Sequence, residues 1–173
     1  MAKTVELRRH TDNDGDVLTP GGVHAALEIG RGLEGDYEVA VSTGAQRATQ
    51  AVACMLAAMG RSVPGGVVVE PGLRSAEEGR WRELAGEASG SGLAAFRKVD
   101  PEFVDGQARA LGEALARVLD SLPDGGRAIV VGHSPTNEAA VLGLTGQIVE
   151  PMAKGAGVVV VAGAHGFSVE SLS

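Results

Sequence analysis

Cysteine and aromatic side chains are nearly missing from this chain. Cys54 is the only cysteine, so no internal disulfide is available. It lies in "QAVACMLAAMG", a helical pattern in which a small apolar residue packs. Aromatic residues make up 3% of the sequence, and Tyr37, Trp81, Phe96, Phe103 and Phe167 are the whole supply. A core must therefore be built from Ala, Val and Leu, and there are too few rings to stack on nucleic-acid bases. Positive charge is also scarce: 15 Lys and Arg stand against 22 Asp and Glu, a formal net charge of -7. A field of that sign argues against nonspecific binding to nucleic acid or to anionic membranes, so neither is an expected partner. Any cationic pocket must be a local concentration of arginines. No stretch approaches the roughly 18 apolar residues of a membrane span. The start, "MAKTVEL", has no apolar run of the secretory kind. These absences point to a soluble cytoplasmic protein. The glycine-rich stretches "GGVHAALEIGRG" and "GLTGQ" match neither G-x-G-x-x-G nor G-x-x-x-x-G-K-[ST], so no nucleotide cradle is read.

What is present is enough for one domain over residues 1–173, with 44% hydrophobic residues. Residues 4–8 read as a first strand. "LTPGGVHAALEIGRGL" reads as a helix with Thr19 as N-cap and Pro20 in the first turn. "YEVAVST" alternates as a strand, and "GAQRATQAVACMLAAMG" has apolar positions at helical spacing up to Gly60. "GGVVVEPG" reads as a short buried strand. Residues 73–98 read as two short helices and a loop, a candidate lid. "PEFVDGQARALGEALARVLDSLPDGG" is a long amphipathic helix, "RAIVVGHS" an apolar strand, and "SPTNEAAVLGLTG" a helix with Ser134 as N-cap. "GVVVVAGAHGFSVESL" closes with a hairpin, His165 in its turn. Strands alternating with helices predict a three-layer α/β/α sandwich with a mostly parallel central sheet and an antiparallel edge.

In such sheets, sites form beyond the carboxyl ends of the strands. The first strand ends in Arg8, Arg9 and His10. The second ends in Ser42 and Thr43, with Arg47 in the next helix. The strand at 66–69 ends at Glu70, and that at 128–131 ends in Gly132, His133 and Ser134. Arginine holds its charge at any working pH and grips phosphate oxygens bidentately. A neutral imidazole is a nucleophile near pH 7. A carboxyl group can protonate a leaving oxygen and then activate water. The inventory suits phosphoryl transfer through a covalent phosphohistidine, with no metal. A calcium loop from Asp12 is rejected, because its sixth and twelfth positions are Val17 and Val23 rather than Gly and Glu. His24 reads as a surface residue.

The ordered series "LRRHTDND", "LTPGG", "VSTGAQRATQ", "VVEPGL" and "VVVGHSPTNEA" resembles the histidine phosphatase superfamily, the phosphoglycerate-mutase-like fold. The likeness spans residues 4 to about 145, and the chain's length brings it nearest the short bacterial phosphohistidine phosphatases. The resemblance implies that His10 attacks phosphorus and becomes phosphorylated. It implies that Arg9 and Arg47 clamp the phosphoryl oxygens, that His133 bonds the same group, and that Glu70 is the general acid, with Glu77 and Glu78 as rivals. It implies as substrate a phosphorylated small molecule or a phosphoprotein, with phosphohistidine included.

The chain departs from the family pattern in three places. Thr11 replaces the usual Gly after the catalytic His, and its hydroxyl is a candidate phosphate donor. Ala51 replaces a usual Thr. Asp12, Asn13, Asp14 and Asp16 make an acidic loop, in which Asn13 is a candidate substrate contact and the carboxylates must point outward or pair with Arg8. Arg74 is a candidate extension of the anion pocket, though a solvated loop residue is the plainer reading. These departures keep open a phosphate- or partner-binding protein without turnover; a phosphomutase is the other alternative. The substrate and the oligomeric state are not legible.

Overall fold

The computed structural model describes all residues, 1–173. The chain forms β1 (Lys3–Arg9), two two-residue strands β2 (Asn13–Asp14) and β3 (Val17–Leu18), and α1 (Pro20–Gly32). Then come β4 (Val39–Ser42), α2 (Gln46–Met59), β5 (Val67–Val69), a 3₁₀ turn at Pro71–Leu73, α3 (Glu78–Glu87), α4 (Leu93–Val99) and α5 (Pro101–Ser121). The chain ends with β6 (Arg127–Gly132), α6 (Thr136–Thr145), β7 (Gly157–Gly163) and β8 (Gly166–Leu172). No helix is long and apolar enough to cross a membrane.

The six-stranded sheet runs β5-β4-β6-β1-β7-β8. β5, β4, β6 and β1 are parallel, and β7 and β8 add the antiparallel edge. β6 is apolar on both faces because helices cover both. Ile129 and Val131 meet the core under α1 and α2, and Ala128 and Val130 meet the larger core under α5 and α6. Thr19 caps α1 by accepting from the Gly22 N–H, and Gly60 ends α2 with φ +67°. β5 corrects the sequence reading. It is an edge strand paired only with β4, and Val67, Val68 and Val69 are 46%, 44% and 57% exposed. Three consecutive valines look buried in a sequence, but the helical layers do not extend over this last strand.

The segment 73–98 holds the two short helices expected. Trp81 packs edge-on against Phe103 of α5, with centroids 5.0 Å apart, and against Phe96 of α4 at 6.3 Å. Leu84 and Leu93 join the same core, so both helices are anchored on α5.

Helices α5 and α6 touch backbone to backbone. A Cβ on Gly143 would lie 1.7 Å from the Ala108 carbonyl oxygen. Gly143→Ala must push the helices apart and is expected to cost about 3 kcal/mol or more. That corresponds to a fall in Tm of roughly 6–12 °C. Gly106→Ala in α5 meets nothing within 4 Å and should hold or raise Tm. Thermal unfolding of both variants checks the pair.

Candidate active site

Sheet register brings the site residues to one level. Arg9 pairs with Gly132 across β1 and β6, and Ser42 pairs with Val131 across β4 and β6. The residues that follow, His10, His133 and Thr43, therefore leave three adjacent strands together. The period of two separates the arginine pair. Arg9 shares the face of Val5 and Leu7, whereas Arg8 shares the opposite face with Glu6. Arg8 Nε bonds Glu6 at 2.6 Å and Arg8 Nη1 donates to the Gly155 carbonyl at 2.8 Å. Glu6 also accepts from the Tyr37 hydroxyl at 2.8 Å and from Arg127 at 3.0 Å. Burial raises the Glu6 carboxyl, but these donors outweigh it and hold it below the usual range. Arg8 is thus consumed by a buried structural network.

His10 is buried, and its Nδ1 lies 2.8 Å from the Thr11 carbonyl oxygen. A carbonyl only accepts, so Nδ1 carries the hydrogen and Nε2 keeps the lone pair. The His10 and His133 rings meet edge to face with centroids 5.4 Å apart. Burial, and then the positive charges of Arg47, Arg9 and Lys154, lower the His10 pKa against the opposing pull of the Thr11 carbonyl. The neutral, nucleophilic ring is therefore favoured.

Three cations, Arg9, Arg47 and Lys154, and one more imidazole lie about it, with Arg74 near that second imidazole. Arg9 Nη1 donates to the Met152 carbonyl at 3.0 Å, while its Nε is buried without a partner. Arg47, in the first turn of α2, contacts Asp16 at 2.9 Å and Glu78 at 3.8 Å. Arg74 contacts Glu78 at 2.9 Å, and Lys154 contacts Asp12 at 2.8 Å. His133 Nε2 lies 2.8 Å from the Thr43 hydroxyl, and its Nδ1 is buried with no partner. Burial, and then the Arg47 charge, push the His133 pKa down to about 3.

That shift has a consequence for stability. The unfolded imidazole takes a proton near pH 6.5, and the folded one resists until about pH 3. Protonation in that window favours the unfolded chain, so stability falls as pH drops below 6.5. The slope is about 1.4 kcal/mol per pH unit for this histidine. Urea unfolding at pH 6.5 and pH 5 is expected to show a loss of about 2 kcal/mol that shrinks in His133→Asn.

The structure unites Arg9, His10, Arg47 and His133, with Arg74 at the rim. It does not bring Glu70 to them. Glu70 accepts from the Gly72 N–H at 3.3 Å and pairs with Arg117 of α5 at 2.7 Å. β5, which delivers it, lies three strand places from β1, about 14 Å away. The carboxyl in the site is Glu78, at the start of α3; Glu77 is exposed and caps no pocket wall. Two further candidates are spent elsewhere. The Thr11 hydroxyl donates to the Gly22 carbonyl at 2.6 Å, and Asn13 donates to the Gly15 carbonyl in an exposed hairpin. The first contact is possible because residue 22 is glycine: a Cβ there would sit 1.9 Å from the Asp12 carbonyl oxygen. Ser134 does not cap α6, which starts at Thr136, but donates to Glu138 at 2.5 Å. None of the acidic loop's carboxylates pairs with Arg8: Asp12 takes Lys154, Asp16 takes Arg47, and Asp14 points outward to solvent.

Sequence reasoning missed Thr43 as partner of His133, Lys154, Asp16 and the buried Glu138. Asp16 also accepts from the Gln46 and Arg47 N–H groups at 3.2 and 3.3 Å, capping a helix with no cap of its own at Ala45. A pocket of about 290 Å³ opens beside this cluster, lined by Arg47, Glu78, Trp81, Arg82, Phe96 and His133 among others.

No protein-family model and no curated protein matches the sequence. Solved structures do match. A phosphoserine phosphatase from Entamoeba histolytica, in complex with 3-phosphoglyceric acid, superposes with TM-score 0.72 at 14% identity, over 99% of this chain and 97% of that one. A phosphoglycerate mutase from Bacillus anthracis gives 0.69 at 15%, over 99% and 92%. The protein histidine phosphatase SixA, complexed with tungstate, gives 0.62 at 17%, over 98% and 96%.

Proposed function

This chain has the fold of the histidine phosphatases, and we propose that it is a phosphatase that hydrolyses a phosphomonoester or a phosphohistidine through a phosphohistidine intermediate on His10. One observation carries the reading: the Thr11 carbonyl fixes the His10 ring at Nδ1 and leaves Nε2 its lone pair, beside His133 and the charges of Arg47 and Arg9 that together with burial lower its pKa.

In the first step His10 Nε2 attacks phosphorus, and the bond from phosphorus to the leaving group breaks. Arg9 and Arg47 hold the phosphoryl oxygens, and the free Nδ1 of His133 adds a further contact where charge accumulates. Glu78, once substrate has taken Arg47 from it and its carboxylate has picked up a proton from solvent, gives that proton to the leaving oxygen. In the second step Glu78 takes a proton from water, the water oxygen bonds to phosphorus, and the phosphorus–nitrogen bond breaks. Inorganic phosphate leaves, and His10 returns to its neutral form. Arg47 must exchange Asp16 and Glu78 for the substrate, so both carboxylates act as placeholders that keep its guanidinium aimed.

The test is hydrolysis of p-nitrophenyl phosphate in EDTA, followed by acid-sensitive, base-stable phosphoryl label on His10 in rapidly quenched enzyme. Turnover with a labelled His10 is expected. Turnover without label, or a strict need for added metal, would sink the mechanism. Neutral His10 is the reactive form and its pKa is lowered, so kcat/KM should stay level as pH falls past 6.5 and decline only further into acid. A pH profile with its acid limb at or above 6.5 would contradict this.

A further inference from the structure

The pocket beside His133 has a chemistry of its own. Trp81, Phe96, Ala85 and Pro135 give its lining an apolar part. Its hydroxyl and indole donors are already committed. Ser75 donates to Gln107 at 2.6 Å, Ser134 to Glu138 at 2.5 Å and Thr136 to the His133 carbonyl at 3.2 Å. The Trp81 Nε1–H also goes to Gln107, at 3.3 Å. A polyol such as a sugar would bring many hydroxyls to a surface with few donors left for them.

The remaining donors are cationic. Arg82 lines the pocket one helical turn after Glu78, an ordinary pairing distance. Glu78 nevertheless turns to Arg74 and Arg47, and no carboxylate lies within ion-pair reach of Arg82. Every other arginine around the site has a carboxylate or carbonyl partner. Arg82 is thus an exposed guanidinium among the pocket's lining residues that has no side-chain partner. The volume, about 290 Å³, is at the small end for ligand sites and suits one ring with a substituent.

We infer that the group carrying the phosphate is aryl or comparably apolar and bears a second anionic group that Arg82 receives. This rests on the phosphatase reading for the position of the phosphate, but it is tested separately from turnover.

The experiment measures binding to the His10→Ala protein by calorimetry, using methylphosphonate, benzylphosphonate and 4-carboxybenzylphosphonate. Benzylphosphonate should bind roughly tenfold or more tighter than methylphosphonate. The carboxylate should add about threefold, and Arg82→Ala should remove that increment. Ala85→Trp, at an exposed helix position, should erase the benzyl advantage by filling the pocket. Equal affinity for the methyl and benzyl ligands overturns the inference, as does a carboxylate increment that survives Arg82→Ala. In parallel, kcat/KM of the wild-type protein is compared for phenyl phosphate and glycerol phosphate. Turnover of both without preference for the aryl ester removes this inference and leaves the phosphatase. Aryl-selective binding with no turnover of any ester removes the phosphatase and leaves the pocket's selectivity standing.

Discussion

His10→Ala is expected to lower p-nitrophenyl phosphate hydrolysis by roughly 10⁴-fold or more, with the fold retained. The size follows from the site's layout. The arginines and His133 can hold a phosphoryl group without His10, and His133, the one other imidazole beside it, has its Nε2 engaged by the Thr43 hydroxyl and uses its Nδ1–H toward the phosphoryl oxygens, which leaves it no lone pair for attack. Thr11 and Thr43, the nearest hydroxyls, are bonded to the Gly22 carbonyl and to His133. Cys54 lies two turns along α2 from Arg47, packed against the core under α1 and α2, and burial raises its thiol pKa. The fold should survive because the His10 ring bonds only the carbonyl of its own neighbour, so its loss orphans no distant group. Phosphate or tungstate binding to the variant should be close to that of the wild type, since the cations remain. A loss of binding together with rate would instead mean that His10 organises the pocket. A rate within tenfold of the wild type would end the covalent mechanism and favour a phosphate-binding protein whose slight turnover comes from water.

The parts legible in the sequence were those set by local pattern. Thr19, Pro20 and Gly60 mark helix ends through their own backbone chemistry, and the period of two in β1 and the unbroken apolar run of β6 both read as strands. Arg9, His10, Arg47 and His133 were legible because each sits at a strand end or first helical turn, and parallel strands bring such ends together. Glu70 satisfied the same rule and still points elsewhere. The rule gives a strand's carboxyl end but not its place in the sheet, and β5 is at the far edge. Strand order is a long-range property: nothing within "GGVVVEPG" records that only one neighbour will pair with it. The same blindness made β5 look buried. Glu78 reaches the site from a helix in the charged segment 73–98, where the pattern is weakest. Thr43, Lys154 and Glu138 act through partners 90, 142 and 14 residues away, and single-chain periodicity carries no trace of such pairings.

Glu138→Ala is expected to be the most damaging change outside the residues that would touch phosphate, costing about 3–5 kcal/mol of stability and at least tenfold in kcat/KM. Glu138 is 1% exposed, and one oxygen accepts from both the Ser134 hydroxyl and the Met152 N–H, at 2.5 and 2.9 Å. The Met152 carbonyl in turn receives Arg9 Nη1 at 3.0 Å. A single carboxyl therefore ties the loop after β6 to the segment before β7, and that segment sets the angle of Arg9. Truncation strands two buried donors and removes the charge that offsets Arg9. The Arg9 guanidinium, already lowered by burial, would lose the Glu138 attraction that raises it. Glu138→Gln separates the two effects, because an amide oxygen still accepts both hydrogen bonds while the charge is gone. Burial raises the Glu138 pKa, with Ser134, Met152 and Arg9 opposing. Ionisation of this carboxyl therefore costs the folded state as pH rises through the raised value. The amide escapes that cost, so Glu138→Gln should recover most of the stability lost in the alanine variant, and its advantage should grow with pH. Urea unfolding at two pH values and a KM-against-kcat comparison read out both parts. If glutamine is as damaging as alanine at every pH, the carboxyl's charge rather than its hydrogen bonds holds the site together; if alanine is harmless, Arg9 is held by Met152 without help from α6.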